Sequence, residues 1–239
     1  MSDEILNQKI RVIIDEAIKI LSDHNYQNVN NDNIEKNDNC SNNDNSNNDN
    51  NEPSGNRNTG GSISKYEISK EIAKVTSLVI PDQVEPFEKS SSPLIQYAKS
   101  STLHGDNETE PLLELIREVA DYLPWKYNYE ERGELGSYMG WAELIGPEAP
   151  FKTDEWCLGF TLITPGTLYP EHRHPAIELY KVLAGTADWT LEGVTSSRKP
   201  GEVILHPSNK IHKMETHDET LLALYTWTGS DVVTLSSYT

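Results

Sequence analysis

The sequence predicts a mainly β protein, an antiparallel jelly-roll barrel preceded by an α-helical N-terminal region. Two observations carry that expectation. Up to Pro124 the apolar residues recur at intervals of three and four, the period of an amphipathic helix. Beyond it come short segments rich in Val, Leu, Ile, Thr, Tyr and Trp, parted by Gly, Pro and Asn, with no long helical pattern between them. Composition narrows the partners. The chain has 38 Asp plus Glu against 20 Lys plus Arg and a formal charge of −18, which argues against a nucleic-acid backbone or an anionic membrane.

The first element is a helix within residues 1–24, where Leu6, Ile10, Ile13, Ile14, Ala17, Ile18 and Leu21 form one stripe and charged residues fill the other faces. That stripe must dock on the rest of the protein or on a second copy, so a homodimer is one expectation. Residues 25–62 read as a disordered linker, because Asn28 to Asn58 carries almost no apolar side chains to offset its ordering entropy. Residues 63–125 read as a helical region packing on the barrel. Tyr66, Ile68, Ile72, Val75 and Val79 support one helix ahead of Pro81, and Pro93 to Lys99 adds a short one. A further helix begins near Thr109, with Thr109 as cap, Pro111 in the first turn and Leu112, Leu115, Ile116, Val119 and Leu123 on one side.

The barrel is expected over residues 126–239. Its strands are expected at Leu135 to Ile145, Glu155 to Ile163, Glu178 to Leu183, Ala187 to Leu191, Val203 to His206, Lys210 to Glu215 and Leu221 to Trp227. Cys40 and Cys157 stand far apart and form no disulfide framework, which fits a reducing compartment. No apolar run is long enough for a membrane helix, and the opening residues lack the order of a signal peptide. The expectation is a soluble cytoplasmic protein.

The chemistry is concentrated between Gly166 and Gly185. Residues two apart on a strand share a face, so His172 with His174 and Glu178 with Tyr180 form two pairs that a turn at Pro175 could bring together. His212, after the turn signals Pro207 and Asn209, is a fourth candidate. Three imidazoles and a carboxylate suit one divalent first-row ion per chain (Fe2+, Mn2+, Zn2+, Co2+ or Ni2+), with positions left for water or substrate. His206 and His217 lie close in sequence but read as surface or supporting residues, and His24 and His104 as solvated side chains.

The pattern Gly166, five residues, His172-x-His174, three residues, Glu178, six residues, Gly185 resembles the first motif of the cupin superfamily. Gly201, five residues, Pro207 and then His212 resembles the second, with Asn209 where Gly is common and Thr216 where Asn is common. Asn tolerates a left-handed turn. A narrower resemblance lies in Leu144 to Pro150, Leu158 to Gly166, Tyr169-Pro170, Tyr180 two residues after Glu178, and Tyr225 to Gly229. These are similar to the cupin-type dimethylsulfoniopropionate (DMSP) lyases, over about the C-terminal half. The Asn-rich insert is not part of that pattern.

The resemblance implies a metal-dependent carbon–sulfur lyase with His172, His174, Glu178 and His212 as ligands, Tyr180 as the catalytic tyrosine and Tyr169 as a second active-site tyrosine. The substrate implied is a zwitterionic sulfonium carboxylate, cleaved by β-elimination to dimethyl sulfide and acrylate. A metal on the carboxylate would stabilise an enolate-like transition state while a tyrosine removes the alpha proton. Trp227, Tyr225, Trp189, Tyr138 and Trp141 are candidates to hold the sulfonium on their faces. Two alternatives stay open at this stage: another cupin metalloenzyme, such as a dioxygenase or sugar isomerase, and a non-catalytic cupin that binds a small molecule.

Overall fold

The computed structural model describes residues 1–39, 63–127 and 130–238. Helix α1 (Asp3–Asn39) buries Leu6, Ile10, Ile13, Ile14, Ala17, Ile20 and Leu21, so its buried stripe ends where the sequence pattern does. The helix itself does not end there. It continues to Asn39, into the segment expected to be linker. No Gly or Pro interrupts Asp3 to Asn39, and extending a nucleated helix costs far less than starting one. The rest of the expected linker, residues 40–62, and Cys40 lie outside the described residues.

Helix α2 (Lys65–Val75) opens on a capping box: the Ser64 hydroxyl accepts from the Glu67 N–H, and the Glu67 carboxylate accepts from the Ser64 N–H. It stops short of the expected end near Pro81, and Tyr66 and Val79, expected on its apolar face, are exposed. Helix α3 (Ile95–Ala98) is the short element expected before Lys99. Helix α4 (Glu110–Val119) buries Leu112, Leu113, Ile116 and Val119, with Leu115 only half-buried. Thr109 does not cap it. The Thr109 hydroxyl donates to the Leu183 carbonyl of the sheet, and Asp106 accepts from the N–H groups of Glu108 and Thr109 instead.

The strands follow as β1 (Trp125–Lys126), β2 (Met139–Gly146), β3 (Phe151–Lys152), β4 (Cys157–Ile163), β5 (Leu168–Arg173), β6 (Ile177–Ala184), β7 (Ala187–Leu191), β8 (Val194–Arg198), β9 (Val203–His206), β10 (His212–Glu215), β11 (Leu221–Thr228) and β12 (Ser237–Tyr238). A 3-10 segment over Glu130–Ser137 occupies the expected start of β2, and β5 and β8 were not among the expected strands. One sheet runs β1-β2-β4-β11-β6-β9 with β3 beside β2; the other runs β12-β5-β10-β7-β8. All pairings are antiparallel except that of β2 with β3. The fold is a cupin: two facing sheets, preceded by helices.

Two cores share the larger sheet. Leu158, Phe160 and Leu162 of β4, Leu179 and Leu183 of β6, and Leu222 and Leu224 of β11 pack outward against Ile10, Ile13, Ile72 and Leu112 of the helices. The intervening residues Ile163, Tyr180, Val182, Ala223 and Tyr225 face inward, into the barrel. Strands covered on both faces read as continuous apolar runs, as β4 does. The stripe of α1 is therefore filled within the chain, by α2 and α4, and needs no second copy.

Candidate metal centre

Strand register assembles the centre. His172 of β5 stands directly opposite His212 of β10, and an irregularity between His212 and Met214 then places Met214 opposite Tyr169. In the other sheet Glu178 of β6 lies between His206 of β9 and Trp227 of β11, its register partners on either side. The turn between β5 and β6 brings His174 down beside Glu178. Asn209 takes a left-handed φ of 60° in the turn before β10 and donates its N–H to the His174 carbonyl, tying the two motifs together.

Hydrogen bonds determine which ring nitrogens face inward. Nδ1 of His172 lies 2.8 Å from the Pro170 carbonyl, Nδ1 of His174 3.0 Å from that of Ala176, and Nδ1 of His212 2.8 Å from that of Lys210. A carbonyl only accepts, so each Nδ1 carries the proton and each Nε2 is left with a lone pair. The His174 Nε2 is 3.1 Å and the His212 Nε2 3.4 Å from Glu178 Oε2. Ligand atoms of His174, Glu178 and His212 all lie within 4.8 Å of one another, and all three residues are buried. His212 Nε2 has no hydrogen-bond partner among the described residues. Acceptors converging in a dry site repel one another unless a cation sits among them, so these residues fit a metal ion. The fourth expected ligand, His172, is buried beside this group, its ring 4.1 Å from that of His212, but is not one of the three clustered residues.

Glu178 is held from behind. Trp189 donates to His206 Nε2 at 2.8 Å, so the His206 proton is on Nδ1, which donates to Glu178 Oε2 at 3.0 Å. Trp227 donates to Glu178 Oε1 at 2.7 Å. Burial alone would raise the Glu178 carboxyl, but the histidines outweigh it and hold it well below the usual carboxylate range. Burial pushes His206 down to about 3 and His172 well below the usual histidine value. His206 is thus fully buried, which corrects the surface alternative for it. The signal was present in β9, where Ile204 and His206 share the inward face. His217, in contrast, is exposed and pairs with Asp188. His24 is half-buried, not solvated.

A cavity of about 210 Å³ opens over the centre, lined by His172, Glu178, Tyr169, Tyr180, Thr161, Trp227, Tyr225, Trp141, Glu143 and others. The Tyr169 ring stacks on His172 at 4.0 Å. The Tyr180 hydroxyl lies 3.5 Å from the Thr161 hydroxyl, and its ring meets the edge of Trp189. Trp227 stacks on His174 at 4.3 Å. Two expected substrate contacts are not cavity residues. Tyr138 is 53% exposed, and Trp189 is buried behind Tyr180 with its N–H committed to His206. Their strands explain this: Tyr138 precedes β2, and Trp189 belongs to the opposite sheet, where it fills the barrel interior. Glu143, which sequence reasoning missed, lines the cavity; it alternates inward with Met139 and Trp141 along β2.

Residues 69–223 match the family profile of dimethylsulfoniopropionate lyases. A relative from Cereibacter sphaeroides, provisionally named dimethylsulfoniopropionate lyase DddL, is 30% identical over 154 residues, covering 63% of this chain and 62% of that protein. Dimethylsulfoniopropionate lyase DddQ of Ruegeria pomeroyi is 39% identical over 87 residues, 36% of this chain and 43% of its own. The chain thus spans less than two thirds of the length of these curated relatives. The crystal structure of DMSP lyase DddQ from Ruegeria pomeroyi superposes with a TM-score of 0.63 at 26% identity, over 71% of this chain and 87% of that one. The profile match spans well over half of the sequence and includes both histidine motifs, so the chain belongs to the dimethylsulfoniopropionate lyase family.

Proposed function

We propose that this protein is a metal-dependent DMSP lyase, cleaving its substrate to dimethyl sulfide and acrylate as a carbon–sulfur lyase. The observation that carries the reading is the set of inward Nε2 lone pairs converging on Glu178 beneath an aromatic cavity whose wall contains Tyr180. One divalent ion of the Fe2+, Mn2+, Zn2+, Co2+ or Ni2+ class, held by His174, Glu178 and His212 with His172, would supply Lewis-acid stabilisation of charge developing on the substrate carboxylate.

The chain's own groups do the rest. Tyr180, as phenolate, takes the alpha proton; the pair of electrons from that C–H bond forms the new double bond, and the β C–S bond breaks with its electrons leaving on sulfur. Sulfur departs as neutral dimethyl sulfide, so no acid is required. A free phenol near pKa ~10 is a poor base at neutral pH, and a nearby cation favours its anion. Tyr169, stacked on His172, closes the side of the cavity and orients the substrate. The free, buried Cys157 suits a reducing compartment, and on that ground we assign the cytoplasm.

Metal-loaded protein incubated with DMSP is expected to release dimethyl sulfide into the headspace with an equal amount of acrylate. Loss of both on chelation and recovery on metal addition would support the reading. A fully metallated protein that releases neither would overturn it.

A further inference from the structure

The cavity has a second charged end that the chemistry above does not use. Across the larger sheet Glu143, Gly159, Tyr225 and Tyr180 stand side by side in register on β2, β4, β11 and β6. The side chains of Glu143, Tyr225 and Tyr180 face the barrel interior, and Gly159 leaves the gap that lets Tyr225 lean across β4. A Cβ at Gly159 would come within 2.8 Å of the Tyr225 ring. The Tyr225 hydroxyl accordingly donates to Glu143 Oε2 at 3.2 Å. Gly146, at φ +154°, makes room on the other side, where a Cβ would sit 2.5 Å from Glu143 Oε1. The register of β2 slips between Glu143 and Ile145, a bulge of the kind that re-aims a side chain.

The carboxylate held in this way forms no ion pair, although the charge of Lys126 acts on it from beyond that distance. Among the described residues no Lys, Arg or His lies within ion-pair distance of Glu143; Lys126, the cation lining the cavity, is paired with Glu148 at 3.2 Å. The other charged groups facing the cavity are Glu148 and Glu178. Burial raises the Glu143 carboxyl above its usual range, as expected for an anion short of compensation. Trp141 and Tyr225 flank it and present ring surface to the same space. A carboxylate without an ion-pair partner, beside aromatic residues in a small cavity, is chemically suited to a compact organic cation.

Building on the lyase reading, we propose that Glu143, with Tyr225 and Trp141, forms the subsite that receives the cationic head of the substrate and makes the cavity selective for zwitterions over neutral-headed carboxylates. Glu143 is a specificity residue here; it exchanges no proton with the substrate.

A matched pair of unreactive ligands isolates the charge: 3-(trimethylammonio)propanoate and 4,4-dimethylpentanoate have the same shape and differ in nitrogen against carbon. Calorimetry on the metal-loaded wild type is expected to show at least tenfold tighter binding of the cationic ligand. Glu143→Gln, which still accepts the Tyr225 hydrogen bond, should abolish that preference while leaving affinity for 4,4-dimethylpentanoate within about twofold. Glu143→Asp, which keeps the charge, should retain most of it. Equal binding of the two ligands by the wild type, failure of the cationic ligand to bind, or an undiminished preference in Glu143→Gln would each overturn the proposal. None of these measurements needs turnover, so they stand apart from the headspace test of lyase activity.

Discussion

Tyr180 and Glu178 leave β6 two residues apart on its inward face, so both line the cavity and Glu178 also belongs to the ligand cluster. If the phenol oxygen of Tyr180 accepts the proton, Tyr180→Phe keeps the ring that packs on Trp189 and loses only that oxygen. The expected result is a fall in kcat of about 10²-fold or more, with metal content and thermal midpoint unchanged. Near wild-type turnover would transfer the base role to another group, Tyr169 first. Trp189 acts one step further back. Its N–H holds His206 in the tautomer that donates to Glu178, so Trp189→Phe should weaken metal affinity by about tenfold, the scale of lost support behind a metal ligand. Competition against a chelator measures this, and an unaltered affinity would show that the Trp189–His206 contact is only packing.

At the scale of elements, the helices hold the outer face of the large sheet, and the join between the layers contains unusual groups. Lys181 points outward from β6, is fully buried, and is held by Glu108 and the Gly201 carbonyl. His24, near the end of the α1 stripe, lies close enough to feel that charge. Burial first, and Lys181 second, lower its pKa to about 4. An unfolded histidine titrates near ~6.5, so between these values the unfolded chain binds the extra proton. The docked α1 is therefore stabilised fully above that upper value, and the contribution is lost as pH falls toward about 4. Denaturant unfolding at pH 7.5 and pH 5.0 should show a smaller acid-side loss in His24→Gln than in the wild type. Identical losses would mean that His24 is freely protonated in the folded protein.

For the whole molecule, the two sheets meet at the centre: β5 and β10 supply His172 and His212, β6 supplies Glu178, and the turn between β5 and β6 supplies His174. A ligand bound only by the folded state stabilises it by mass action, so a metal joining both sheets should raise the thermal midpoint. His174→Ala combined with His212→Ala is expected to abolish stoichiometric metal and that increment together. Elemental analysis and thermal melts with and without chelator check this, and metal retained by the double variant would overturn the ligand assignment.

Motif spacing named His172, His174, Glu178 and His212 as candidate ligands, and the fold clusters His174, Glu178 and His212 with His172 beside them, because a two-residue period and short turns keep such side chains near one another. The helical N-terminal region and the barrel were legible for a related reason: periodicity is a local property of the chain. The extent of α1 was not, since composition reports what a segment can bury and not where a helix already begun will stop. Nor was the separation of Trp227 and Tyr225, which line the cavity, from Trp189 and Tyr138, which do not. That depends on which strand lies next to which. The same holds for His206 behind Glu178 and for Glu143 across from the centre, whose neighbours come from β11, β9 and β4, far away in sequence. A sequence determines which side chains can bind a metal or share a face; cross-strand register and the packing of two layers decide which of them meet, because those contacts exist only once distant segments have paired.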